Sequence, residues 1–314
     1  MEKFKLLQKL KEIYSNGQNI IQYLKSISND NQNNIEDILI SYDIQSGIYI
    51  KYFLKDYEIR KKNGESIAKV IETLADFDSL LEVGIGEATT LSPLVKKLIK
   101  KPKNLMGFDI SWSRLKYAQH FLRDFNIQDV ELFTGNLFEA PLLDNSVDIV
   151  YTSHTIEPNR GKEEEALKEL YRITKKYLIL LKPAYEFANE NAKQRMKNHG
   201  FITNLYGTAK KLGYKIIEYR LFNYQWKPEV NPTGLIVIEK KPKFETQCNL
   251  VCPITKTKLL KYNDSFLYSK EGMLAYPILE GIPCLLKENA ILATLLLTNY
   301  VEFKRENDKH FNYN

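Results

Sequence analysis

A chain of 314 residues that is 44% hydrophobic and 12% aromatic has enough apolar side chain for one large domain and a smaller one, which excludes a chain too polar to bury a core. Its 45 Lys and Arg against 39 Asp and Glu give a net charge of +6, spread along helical segments beside glutamates and never gathered into a dense basic block with interleaved aromatics, so no nucleic-acid partner is expected. The opening "MEKFKLLQKLKEIYSNG" lacks the apolar centre of a signal peptide and "AILATLLL" is far too short to cross a bilayer, so a cytoplasmic location with no membrane partner is expected.

Residues 1 to about 75 read as helical. Leu6, Leu7, Leu10 and Ile13 recur at helical spacing, as do Ile20, Ile21 and Leu24, with "SNDNQNN" as a polar break. The tyrosine-rich stretch "ISYDIQSGIYIKYFLKDYEIR" follows. Most of its tyrosines are expected in helical core, with Tyr42, Asp43, Gln45 and Tyr49 as a candidate lid.

From residue 78 apolar strands alternate with helical segments: "SLLEVG", "NLMGFDI", "VELFTGN", "VDIVYTS" and "YLILLKP", with helices near 88–100, 111–125 and 162–175. The last of these opens on Glu163, Glu164 and Glu165 and closes on Lys175 and Lys176, which suits the helix dipole. Two more strands, "KIIEYRLF" and "GLIVIEKK", are joined through "NPTG". This alternation predicts an α/β fold, a doubly wound and mostly parallel seven-stranded sheet covered on both faces, with an antiparallel pair at one edge. The expected layout is a helical segment over 1–75, a cofactor-binding domain over 76–242, a small β-rich module over 243–290 and a C-terminal helix and tail over 291–314. Cys248, Cys252 and Cys284 all fall late in the chain; an odd number without an export signal argues for reduced thiols.

The stretch "LLEVGIGEATTL" places Gly84 and Gly86 straight after the first strand, where a doubly wound sheet holds its ligand. A pyrophosphate would rest on the amides opening the next helix. Here Glu87 stands at that start and Thr89 replaces the third glycine of a dinucleotide fingerprint, which argues against NAD and FAD. A phosphate-free, cationic nucleoside cofactor tolerates such acids, and Glu82 suits its positive charges. Asp109, ending the second strand, can accept from both ribose hydroxyls. Asn136 in "GNLFEAP" can accept from an adenine amino group, between Ile110 and Leu137.

Taken together, Glu82-x-Gly84-x-Gly86, Asp109 and "GNLFEAPLLDNSVDIVYTS" resemble the class I S-adenosylmethionine-dependent methyltransferases over residues 78 to 240. Asn136 departs from the acid common in that family. The resemblance implies S-adenosyl-L-methionine as cofactor and methyl transfer to N or O of a small polar acceptor. By analogy of layout that acceptor is a sugar or a nonulosonic acid for a bacterial surface glycan, and a homo-oligomer is allowed. Residues after the fourth strand face the transferred methyl in the family, so His154 and Glu157 are the candidate catalytic bases. Tyr185, Glu186, Arg195 and His199 are the candidate acceptor-binding residues.

Residues 252–286, with "YPILEGIP" near the end, resemble the Trm112-like modules, zinc-ribbon relatives that activate methyltransferases. Thr255 stands where the second zinc-binding cysteine would be, a fourth cysteine is missing, and so no metal is expected. The module then stabilises the enzyme in cis or covers the acceptor site. Two rival readings follow: a tRNA or protein methyltransferase assisted by that module, and a non-catalytic cofactor-binding scaffold.

Overall fold

The computed structural model describes residues 2–28, 34–225, 229–242 and 244–298. Five helices lead the chain: α1 (Leu7–Ser15), α2 (Ile20–Ser28), α3 (Ile35–Ile44), α4 (Ile48–Lys55) and α5 (Tyr57–Glu72). Leu10, Ile13, Ile20, Leu24 and Ile40 close a small apolar cluster of their own, as the helical spacing of the leucines and isoleucines requires.

The sheet that follows contains β1 (Ser79–Val83), β2 (Asn104–Asp109), β3 (Val130–Thr134), β4 (Val147–Ser153), β5 (Thr174–Pro183), β6 (Lys215–Leu221) and β7 (Thr233–Glu239). Between them run α6 (Leu91–Lys97), α7 (Trp112–Asp124), α8 (Glu163–Ile173), α9 (Glu190–Asn198) and α10 (Leu205–Lys211). The strand order is β3-β2-β1-β4-β5-β7-β6. Only β7 runs against its neighbours, pairing antiparallel with both β5 and β6. The order reverses between β1 and β4, so the crevice for a ligand opens beyond the carboxyl ends of those two strands.

Successive strand residues feed opposite cores. On one face Leu80, Ile149, Ile179 and Val237 pack with Ile67, Leu94 and Leu115 of the helices. On the other, Leu81, Val150, Leu178 and Ile236 pack with Leu167, Leu170 and Leu205. Burial on both faces is why these strands read as nearly continuous apolar runs.

The helix expected over 162–175 stops at Ile173. Thr174 returns its hydroxyl to the Leu170 carbonyl and starts β5. Lys175 and Lys176 therefore lie on a strand, where both pair with buried Asp148 instead of complementing a helix dipole.

The C-terminal module contains β8 (Leu259–Tyr262), β9 (Phe266–Ser269), β10 (Leu274–Leu279), β11 (Ile282–Pro283) and β12 (Ile291–Leu292) in one small sheet. A helix was expected from 291. Instead Ile291 and Leu292 pair antiparallel with Ala275 and Leu274, because the open edge of β10 offers hydrogen bonds that an isolated apolar turn of helix lacks. Of the tail expected beyond, residues 299–314 lie outside the described residues.

The module is not a separate bead. Cys252, Tyr276 and Leu285 join the second core. Cys284 bridges in parallel to Thr134 at the end of β3, and the Leu285 amide donates to the Thr134 hydroxyl at 2.8 Å. The module thereby caps the edge of the large sheet, which would otherwise expose unpaired backbone groups. Among the described residues no helix is long and apolar enough to cross a membrane.

Candidate functional site

β1 delivers its glycines to the mouth of the crevice. The Gly84 and Ile85 amides both donate to the Phe108 carbonyl, at 2.8 and 3.0 Å, which bends the chain sharply off the strand. Gly84 has φ of +70°, and a Cβ there would come within 2.0 Å of the Thr155 side chain. The glycine is thus required by the protein's own β4 loop as well as by any ligand. Gly86, at φ +55°, donates its amide to the Asp109 carboxylate at 3.0 Å.

Asp109 also accepts from the Ser111 amide at 2.9 Å and is buried. Burial raises its pKa, while the Arg114 guanidinium and the amides of Ser111, Gly86 and Ile110 oppose that rise. Glu82 is 2% exposed, and its Oε2 has no hydrogen-bond partner. Burial pushes its pKa up to about 8; neighbouring Tyr151 restrains the shift, and the Asp109 charge adds to it. A buried carboxylate with a free oxygen is costly on its own and becomes favourable once a cation is placed beside it.

Glu87 has a different task from the one expected. Its two oxygens accept from the amides of Gly47 and Ile50, each at 2.8 Å, and the Arg114 guanidinium lies at 3.4 Å. This carboxylate serves the N-terminus of α4 and does not line the crevice, so it is no barrier to a phosphate there. Asp43 fixes the same layer by accepting from the Ser111 and Ser113 hydroxyls, each at 2.8 Å. Arg114, 1% exposed, lies under Tyr42 and Tyr49 with ring distances of 5.0 and 4.4 Å. Tyr42 and Tyr49, two residues of the candidate lid, stand in the wall of the crevice. Gln45, grouped with them, bonds back to Ser41.

The crevice has a volume of about 440 Å³. Glu82, Gly84, Gly86 and Asp109 line one end; His154, Thr233, Arg195, Asn231, Arg60 and Asn63 line the remainder. A slot of about 60 Å³ opens beside it, where Ile110, Asn136 and Leu137 do come together, roofed by Ile35 and Ile38 of α3. The Asn136 oxygen already accepts from the Phe138 amide at 3.0 Å, so it orders its own loop.

His154 follows β4 in a left-handed conformation, φ 56°, a region uncommon for residues other than glycine. Its amide donates to the Leu181 carbonyl. Its Nδ1 lies 3.2 Å from Glu157 Oε1 and its Nε2 3.3 Å from the Thr233 hydroxyl. Both Glu157 oxygens are buried without a hydrogen-bond partner, so the carboxylate stands beside Nδ1 as a charge and not as a hydrogen-bond acceptor. Glu157 is 7% exposed at its side chain against 41% for His154, so the carboxylate sits behind the ring and the ring faces the crevice.

Of the four expected acceptor residues only Arg195 lines the crevice. Tyr185 packs with Ala188, Ala192 and Met196, under Lys193 and Lys197. Glu186 pairs with buried Lys182 at 3.3 Å, and exposed His199 turns its Nδ1 to the Arg195 carbonyl. Sequence reading missed Arg114, Thr155, Asn231 and Thr233 in the wall. Ser111, which accepts from the Arg114 amide as a helix cap, is the one local signal that fixed where Arg114 begins its helix. Among the described residues none of the walls comes from the C-terminal module. Cys248, Cys252 and Cys284 are free thiols, and no cluster of metal-binding side chains is present among the described residues.

A family described as "Methyltransferase domain" matches residues 80–177. Over 123 residues the chain is 28% identical to "Putative methyltransferase YrhH" of Bacillus subtilis, spanning 39% of this chain and 66% of that protein. Over 42 residues it is 48% identical to UPF0434 protein NMA0874 of Neisseria meningitidis, 13% of this chain and 70% of that protein; through that segment the chain belongs with the UPF0434 proteins. A S-adenosylmethionine-dependent methyltransferase from Aquifex aeolicus aligns at 18% identity with a TM-score of 0.42, covering 55% of this chain and 87% of its own. Magnesium protoporphyrin IX methyltransferase from Synechocystis aligns at 14% identity and 0.46, covering 74% and 99%.

Proposed function

We propose that this chain, whose residues 80–177 form a methyltransferase domain with S-adenosyl-L-methionine as cofactor, transfers a methyl group to N or O of a small polar acceptor, with His154 as the base. The observation that carries the reading is that His154, with the Glu157 carboxylate 3.2 Å behind its Nδ1, lines the same crevice as Glu82, a buried carboxylate with an unsatisfied oxygen.

The residues fit the cofactor. Glu82, with its free oxygen, suits the cationic end; Asp109 retains lone pairs for ribose hydroxyls; and the slot between Ile110, Leu137 and Ile38 suits a flat base. When bound, S-adenosylmethionine supplies an electrophilic methyl group. The acceptor must be aligned in the crevice with water excluded, and alignment carries most of the rate. His154 Nε2 receives the acceptor's proton as the Thr233 hydroxyl yields its place. Glu157, 3.2 Å from Nδ1, stabilises the imidazolium that results. Glu157 is thus a positioning residue, and Arg195 is the acceptor contact. A sugar acid is the acceptor type that suits both the expected sugar chemistry and the arginine.

We assign the C-terminal module to stabilisation in cis. It caps β3 and contributes to the second core, and none of its described residues lines the crevice.

Calorimetry with S-adenosylmethionine, followed by a methyl-label screen of sugar, tRNA and protein acceptors, tests the reading. His154→Ala should lower turnover by about 10²- to 10⁴-fold with cofactor affinity kept. Full turnover in that variant removes the base, and absence of cofactor binding removes the whole reading.

A further inference from the structure

The acceptor end of the crevice carries a charge pattern that the cofactor does not explain. The carboxylates in the wall, Glu82 and Asp109, both stand at the cofactor end. Arg195, on α9, lines the opposite part and makes no ion pair with any described residue. It donates through Nη1 to the Asn231 amide oxygen at 3.0 Å, and its guanidinium lies 5.8 Å from the Phe201 ring centre. Asn231 itself lines the crevice, as do Asn63 and Thr233. A neutral amide fixes the orientation of the guanidinium without neutralising it. The half-buried charge is left to be compensated by something in the cavity.

We infer that the acceptor carries an oxyanion, a carboxylate or a phosphate, and that Arg195, oriented by Asn231, binds it. A guanidinium offers parallel N–H donors matched to two oxygens of such a group, and Lys does not reproduce that geometry. The anion at Arg195 orients the acceptor with its nucleophilic atom toward His154. This assignment rests on the methyltransferase reading, and the experiment separates the two.

The full chain is titrated with sodium acetate and, separately, with sodium phosphate at constant ionic strength. Each titration is run with and without S-adenosylhomocysteine, and the arginine side-chain resonances are followed. The peak absent from Arg195→Gln should shift saturably with acetate if the acceptor group is a carboxylate, and with phosphate if it is a phosphate. In that variant kcat/KM for an acidic acceptor should fall about 100-fold, mostly through KM, while its neutral amide or ester counterpart changes little. Arg195→Lys, which keeps the charge, should recover only part of the loss, and it replaces the Gln variant if that one does not fold. A static Arg195 peak with both anions overturns the inference, as does equal use of acidic and neutral acceptors. Calorimetry of S-adenosylmethionine reports on the methyltransferase reading separately: intact cofactor binding with a static peak sinks the inference alone.

Discussion

The two ends of the crevice are built differently. The cofactor end is a backbone construction: Gly84 and Ile85 hang on the Phe108 carbonyl, and Asp109 is gripped by the Gly86 and Ser111 amides. Its parts lie within about thirty residues of one another in sequence and sit on adjacent strands. The acceptor end is a side-chain construction, with Arg60 and Asn63 from α5, Arg195 from α9 and Asn231 and Thr233 from the approach to β7. Main-chain hydrogen bonds between packed strands leave little freedom, whereas long side chains on separate elements can be exchanged without disturbing the sheet. The first end should therefore be intolerant and chemically fixed, and the second should be where specificity resides.

That contrast can be broken most directly at Gly84. Gly84→Val adds a branched side chain at a left-handed position whose first atom already meets Thr155 at 2.0 Å. It should cost at least about 3 kcal/mol, read as a large drop in the thermal unfolding midpoint together with loss of cofactor binding. A Gly84→Val protein that unfolds like wild type would mean the backbone construction is not rigid.

The pH dependence of cofactor binding sharpens the same point. Glu82 in the free site has its pKa pushed up to about 8, chiefly by burial, so below that pH it is mostly neutral. A cation beside it favours the ionised form, so binding should release a proton and tighten by up to about tenfold per pH unit between pH 6 and 8. Proton release is measured by calorimetry in buffers of different ionisation enthalpy. The folded pKa lies above that of the unfolded chain, so Glu82 favours folding at low pH. That contribution is lost as pH rises through about 8. In Glu82→Gln both dependences should flatten; if they persist, the titrating group lies elsewhere.

The smallest expected effect concerns the roof. Glu87 accepts the amides that open α4, a cap supplied from a distant loop. Glu87→Gln keeps an acceptor for only one of the two amides, since its nitrogen donates, and removes the charge facing Arg114, at a cost of about 1 kcal/mol. The N-terminal amides should exchange hydrogen faster while the sheet amides stay protected. Equal protection in both would show that α3 and α4 are held by apolar packing alone.

How much of this could be read beforehand follows from locality. The seven strands and the pocket-lining pair Gly84 and Asp109 were legible because sheet burial imposes an apolar run and the turn imposes glycine. Ile110, after β2, and Asn136 and Leu137, after β3, line one slot, and the Asn136 oxygen accepts from the Phe138 amide, a short-range bond no spacing reveals. Tyr185, Glu186 and His199 sit on the same segment as Arg195, but only Arg195 reaches the crevice. Lys193 and Lys197 cover Tyr185, and Lys182 takes Glu186. The helix expected beyond 291 failed over Ile291 and Leu292 because the partner strand, distant in sequence, was invisible to periodicity.

The sequence by itself determined the order of strands and helices, the position of the ligand mouth and the acids beside it, since each follows from period, glycine and neighbours a few residues apart. Only the tertiary structure decided that Glu87 caps a helix forty residues upstream, that Glu157 stands behind His154 and that Arg195 meets Asn231 without a counter-charge. The reason is that pairing between remote side chains depends on how whole elements pack, and packing is set by the summed burial of both cores, which no local pattern encodes.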